Sequence, residues 1–287
     1  MGEKQNKLLS TKKITKKLSN NIVLILLLFI ACSIVKDIEF IFIKTDQTIL
    51  AENIICKLFC IAVLVSTLFI KKIKFNAIGF RLKGFLRAAF FGIFLGVVTF
   101  SISYFVEFLI LKRLGKTPHL ECFITNFALS GQNVKTLSFS AIGICVFGNL
   151  INVFAEEGLF RGLFLHLGKE NLGFKKSNLL QGLLFGAWHL VSVFIWVLDG
   201  SLSVFNAIIF GIGYFLLALC LAYEWGLCLE LTGCIWAGCF EHFINNFSSN
   251  FLHTVTQTGI DEMQIVRITL SNILSLLIVM FFAKRKR

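Results

Sequence analysis

The chain has 287 residues, 56% of them hydrophobic, with 33 Phe, a single Pro and a net charge of +12. Several apolar runs of about 20 residues exclude a soluble domain, and strand-like alternation of an outer-membrane barrel is absent. The basic residues cluster at the ends of apolar runs, where they set topology and meet anionic headgroups, so the charge points to membrane lipids and not to nucleic acid.

The first 20 residues form a basic segment expected in the cytoplasm. The apolar run from Asn21 to Val35 lacks a small-residue cleavage site and reads as a retained span. In chain order the apolar pattern predicts about eight spans, near 21–43, 50–70, 88–111, 137–166, 179–198, 204–223, 230–251 and 262–283. Lys36 and Asp37 interrupt the first and Lys57 lies in the second; Lys57 and Arg267 are expected to snorkel. The predicted fold is an all-α, polytopic transmembrane bundle in one membrane domain. Its parts are the segment 1–20, accessory helices and loops over 21–136, a core over 137–251, and a final helix with a basic tail over 252–287.

Segments 1–20, 71–87, 168–178 and 284–287 hold 6, 6, 3 and 4 Lys and Arg, and the alternate segments 36–53, 112–136, 199–203 and 252–261 hold two, four, none and none. The positive-inside rule then places both termini in the cytoplasm of a multi-pass cell-membrane protein. Nine scattered Cys with no CxxC pair indicate neither a disulfide framework nor a thiolate zinc site.

Three polar constellations interrupt the apolar helices: Glu156, Glu157 and Arg161 in the fourth span, His189 in the fifth, and His242 with Asn246 in the seventh. Each ionised group in hydrocarbon costs at least about 2.5–3.5 kcal/mol, and such groups usually face a bundle interior or wet cavity. Each constellation lies about ten residues from the expected cytoplasmic end of its helix, a depth of roughly 15 Å. Glu157 and Arg161, four apart, share a helix face, while Glu156 is rotated by about 100°. The pair can be a structural ion pair, which leaves Glu156 as a candidate general base. Ordinary roles compete: His189 as a helix–helix hydrogen-bond partner, and Asn246 as the mark of a nearing helix end. His166 and His253 are expected at the surface.

Glu156-Glu157-x-x-x-Arg161, Phe185-x-x-x-His189 and His242-x-x-x-Asn246, in that order and each in its own apolar helix, resemble the CAAX protease and bacteriocin-processing (Abi) family of intramembrane proteases. Gly162 and the run Leu231-Thr232-Gly233-x-x-Trp236-Ala237 agree with it, and the resemblance spans about 137 to 251. Gly238 stands where the family often has proline, and Glu241 where a small or apolar residue is usual.

The resemblance implies a catalytic cavity opening toward the cytoplasm. It also implies that Glu156 activates water, His189 helps position it, and His242 and Asn246 face the oxyanion. Glu157, Arg161 and Phe185 would support the site. A rival mechanism binds a divalent metal such as zinc through Glu156, His189 and His242, since two His and one Glu are a known catalytic zinc set. The implied substrate is a lipidated or membrane-associated protein or peptide. Two other functions fit the residues: a non-catalytic immunity protein that binds a toxic peptide, and a proton-coupled transporter. No inverted repeat favours the transporter.

Overall fold

A computed structural model describes residues 2–48, 53–124 and 137–286, and for residues 2–19 the backbone alone. Residues 49–52, at the predicted start of the second span, and 125–136 of the predicted outer segment lie outside the described residues.

With water excluded, a lipid-embedded backbone must bond to itself, and these apolar runs do so as helices. In chain order they are α1 (Gly2–Ile38), α2 (Ile54–Lys71), α3 (Phe85–Arg113), α4 (Phe139–Glu156), α5 (Leu165–Trp188), α6 (Leu190–Leu198), α7 (Val204–Thr232), α8 (Trp236–Phe251) and α9 (Gln264–Arg285). Between α4 and α5 the winding widens to a π-helical turn over Glu157–Phe164. The one proline, Pro118, falls in the connection after α3. Ser138 and Ser203 cap α4 and α7 by accepting from the backbone N–H groups of Ala141 and Asn206.

Six stretches are long and apolar enough to cross a membrane: Asn20–Ile43, Ile54–Lys71, Phe85–Arg113, Phe139–Leu198, Val204–Thr232 and Gln264–Arg285. Two predicted spans, 137–166 and 179–198, fall inside the 60-residue stretch Phe139–Leu198. A straight helix of that length would run about 90 Å, three times the hydrocarbon thickness. The chain instead doubles back at Gly173, whose φ of 70° and ψ of 173° are non-helical. A Cβ on Gly168 would lie 2.9 Å from the Ser177 hydroxyl, although nine residues of straight helix would separate them by about 13 Å. The predicted span 230–251 is a 16-residue helix, α8, because Gly233 in the left-handed region closes α7 only at Thr232.

Contacts define two ends. At one, Lys71 donates to Asn21 and Asn21 to Glu170, Lys169 pairs with Glu230 at 3.0 Å, the Trp236 indole donates to the Arg81 carbonyl, and Lys286 reaches the Leu231 carbonyl. The basic connections 71–87 and 168–178 and the chain end therefore meet. At the other end β1 (His119–Cys122) pairs antiparallel with β2 (Leu252–Val255), His119 opposite Val255. This short sheet is the one departure from an all-helical bundle among the described residues. Between the ends, Ile25, Leu64, Leu159, Phe160, Phe185 and Trp225 pack a common core, while Phe69, Phe90, Phe139 and Ile208 point outward from the bundle.

Two expectations are corrected here. His253 is not at the surface: it is 1% exposed, stacked on Phe123 at 3.9 Å, with Nδ1 3.1 Å from Asp261 Oδ2. The β1–β2 pairing folds over it. Arg267 does not snorkel. It is fully buried against Glu107 at 2.6 Å and Asp261 at 2.5 Å, with Tyr104 beneath its guanidinium.

Candidate active site

The site is built where α4 gives way to the π-helical turn. An α-helix would turn Glu157 some 100° away from Glu156. Both carboxylates nevertheless lie close to the imidazole of His242 on α8. His242 Nδ1 lies 2.9 Å from Glu157 Oε1, and its Nε2 lies 3.8 Å from Glu156 Oε2. In the neutral ring with Nδ1–H donated to Glu157, Nε2 carries a lone pair facing Glu156.

Arg161 is fully buried, with Nη2 3.3 Å from Glu157 Oε1 and the guanidinium carbon 4.0 Å above Phe185 and 4.6 Å above Trp225. Aromatic faces thus take the place of further hydrogen-bond acceptors around this cation. Phe185 also packs edge-on to Phe160, His189 and His242. The Trp225 ring stacks on His242 at 4.0 Å, and its indole N–H donates to Glu241. Glu241 is therefore buried and acts on the site through Trp225 and His242. Gly238 sits at a close approach: a Cβ there would lie 3.1 Å from both Glu157 Oε2 and Trp225 Cβ, tighter than an ordinary contact.

Glu156 has partners that sequence reasoning missed. Its Oε1 accepts from Lys57 Nζ at 2.6 Å and from the Trp188 indole at 3.0 Å. Lys57, expected to snorkel, is 4% exposed and points inward, because α2 turns that face to α4. Lys36 is buried as well, donating to the Trp188 carbonyl at 2.7 Å with its ammonium 4.2 Å over that ring.

His189 ends α5, with Nδ1 2.8 Å from the Phe185 carbonyl and its ring edge-on to Tyr214. It makes no hydrogen bond to Glu156 among the described residues. Asn246, one turn beyond His242, is half-buried and its amide makes no hydrogen bond among the described residues; its neighbour Asn245 is tied across helices to Asn272 at 2.8 Å. A cavity of about 490 Å³ at the basic end reaches Arg161 and Gly162 and is rimmed by Arg81, His166, Lys169 and Glu230. Glu156, His189 and His242 do not line it.

A zinc ion would need Glu156, His189 and His242 as ligands. Each histidine bonds through Nδ1 to a carboxylate or carbonyl, an arrangement metal ligands commonly keep. The carboxylate is the misfit. Its Oε1 already holds an ammonium, and unit charges 4 Å apart interact by about 4 kcal/mol at an effective dielectric near 20, twice that for a dication. Among the described residues no three His, Cys, Asp or Glu side chains gather as a ligand group. The donor set does not fit the ion.

Fold and site together define a multi-pass helical membrane protein with a carboxylate–histidine centre buried in its bundle. Residues 138–248, the segment that carries all three motifs, match the family described as Type II CAAX prenyl endopeptidase Rce1-like, a family of peptidases. No curated protein and no solved structure gives a significant match.

Proposed function

We propose that the chain is an intramembrane endopeptidase that hydrolyses a peptide bond in a lipidated or membrane-associated protein, of the CAAX type, with water activated by Glu156. The observation that carries this reading is the meeting of Glu156, Glu157 and His242 across two helices, in a segment matching a peptidase family. Glu156 Oε2 and His242 Nε2 are two acceptors separated by 3.8 Å, so one water can donate a hydrogen to each while its oxygen faces a substrate carbonyl.

In the reaction that oxygen bonds to the carbonyl carbon as Glu156 takes the proton. Glu156 then gives the proton to the amide nitrogen as the C–N bond breaks. Asn246, one turn further on α8, supplies the oxyanion donor. His242, assigned to the oxyanion by the family resemblance, is reassigned to holding the water, since its Nδ1–H is given to Glu157. His189 flanks the water on the α5 side. The basic end, with both termini, faces the cytoplasm of the cell membrane, and lipids surround the outward Phe and Ile side chains.

The test is cleavage of a fluorogenic peptide carrying an isoprenylated cysteine three residues from its C-terminus. The parent should cleave it, Glu156→Gln should abolish cleavage, and Asn246→Ala should lose about 10²–10³-fold in turnover. Full turnover by Glu156→Gln would end the reading. Protection of cells from a peptide toxin by Glu156→Gln, at the parent's level, would favour an immunity protein instead.

A further inference from the structure

Glu156 is held in part from outside the matched segment: directly by Lys57 on α2, and through Trp188 by Lys36 on α1. Lys57 is one residue past the first turn of α2, and that turn is fixed by a carboxylate from the π-helical turn that follows α1, Glu39–Ile43. Glu39, fully buried, accepts from the backbone N–H of Ile55 at 2.9 Å and of Cys56 at 2.5 Å. It does the work of an N-cap at a helix whose N-cap residue, Asn53, offers no side-chain bond.

Lys36 steadies the second partner. α5 stops at His189, and the Ser192 N–H bonds to the His189 carbonyl, leaving the Trp188 carbonyl outside the helical pattern. Lys36 takes that carbonyl and covers the ring whose indole holds Glu156.

We propose that Lys57 is a positioning residue for Glu156: its ammonium, together with the Trp188 indole, fixes Oε1 so that Oε2 alone is presented to the water and His242. The proposal rests on the peptidase reading for its chemistry, but not for the clamp itself. A carboxylate with both oxygens free can rotate and present either one. Here one oxygen carries two donors and the other faces His242 across a gap of 3.8 Å. The same ammonium supplies the cation that a metal would otherwise bring to this carboxylate.

The experiment uses the full chain in detergent, with Lys57→Met, Lys57→Arg, Glu156→Gln and the double variant Lys57→Met/Glu156→Gln. Lys57→Met should lower the melting temperature by on the order of 5–10 °C, and adding Glu156→Gln should restore at least half of that, because residues in contact are not additive. Strictly additive shifts would overturn the clamp. With the isoprenylated peptide, Lys57→Met should lower kcat about 10²-fold at nearly constant KM, the effect of a misplaced catalytic group, and Lys57→Arg should regain at least tenfold. Unchanged kcat in Lys57→Met would overturn the positioning role. Equilibrium dialysis against zinc chloride gives a third readout. One equivalent bound by the parent and lost in Glu156→Gln would show a metal at the carboxylate and overturn the proposal. A parent that leaves the peptide uncut removes the peptidase reading, and the melting cycle still decides for or against the clamp.

Discussion

Arg161→Ala separates support from chemistry in the motif Glu156-Glu157-x-x-x-Arg161. Arg161 and Glu157 are both fully buried and 3.3 Å apart, so truncating the arginine strands a carboxylate inside the bundle. Breaking one side of such a pair costs about 3–5 kcal/mol. Losing the contacts to Phe185 and Trp225, at 4.0 and 4.6 Å, adds up to about 2 kcal/mol. The surviving bond from Glu157 to His242, at 2.9 Å, offsets part of this. A net loss near 4 kcal/mol, at about 2–4 °C per kcal/mol, lowers the melting temperature by roughly 8–16 °C. Unfolding can be followed with a thiol-reactive dye, because Cys32, Cys56, Cys60, Cys228, Cys234 and Cys239 are buried and free. Cys122, the exposed thiol, is changed to Ser in every variant to remove background. Glu157→Gln placed in the Arg161→Ala chain should recover several degrees. Arg161→Lys should not, since an ammonium cannot reproduce a flat guanidinium lying on two rings. A variant that melts with the parent but cleaves nothing would refute the reasoning and move Arg161 into the reaction.

Gly238→Ala should cost about 1–3 kcal/mol and at least tenfold in turnover, read by the same melt and peptide assay, because its Cβ would displace Glu157 or Trp225 from 3.1 Å. At the opposite end, burial raises the Asp261 carboxyl, but hydrogen bonds from His253 and Arg267 outweigh it and hold the group below its ordinary 3.8. A depressed carboxylate stabilises the fold above its unfolded value and ceases to do so as pH falls through its folded value. Asp261→Asn should therefore melt lower than the parent at pH 7, and the gap should close below about pH 4 when melts are run from pH 7 to 3. Reporter fusions at residue 178 and at the C-terminus should read cytoplasmic and a fusion at 200 external; a cytoplasmic signal at 200 would reverse the assigned orientation.

The membrane class and the three motif helices were legible because apolar length and intramembrane charge are properties of the chain itself. The reversal between the fourth and fifth predicted spans was legible too, from Lys169, Lys175 and Lys176 breaking the apolar run. The inward aim of Lys57 was misread, although a sign of it existed. Lys57, Cys60, Leu64 and Leu68 recur at three- and four-residue spacing and form the buried stripe of α2, so the lysine lies on the packed face. Nothing in the residues Glu157 to Phe164 announces a π-helical turn. His253 was misplaced because its burial follows from a strand pairing 130 residues distant, which helical periodicity does not reveal.

The pairing of β1 with β2, and of Glu107 with Arg267 across 160 positions, has a consequence for synthesis. The segment that carries the site, 138–248, is translated wholly between the two halves of this clasp. Until β2 emerges β1 has no strand to bond, and until α9 follows Glu107 has no guanidinium. The motif helices must therefore insert into a bundle that is still open on the α3 side. Closing so long a loop has an entropic penalty that only the finished C-terminal helix can offset. A ribosome stalled before residue 264 would leave a chain holding every motif residue and no closed scaffold around them.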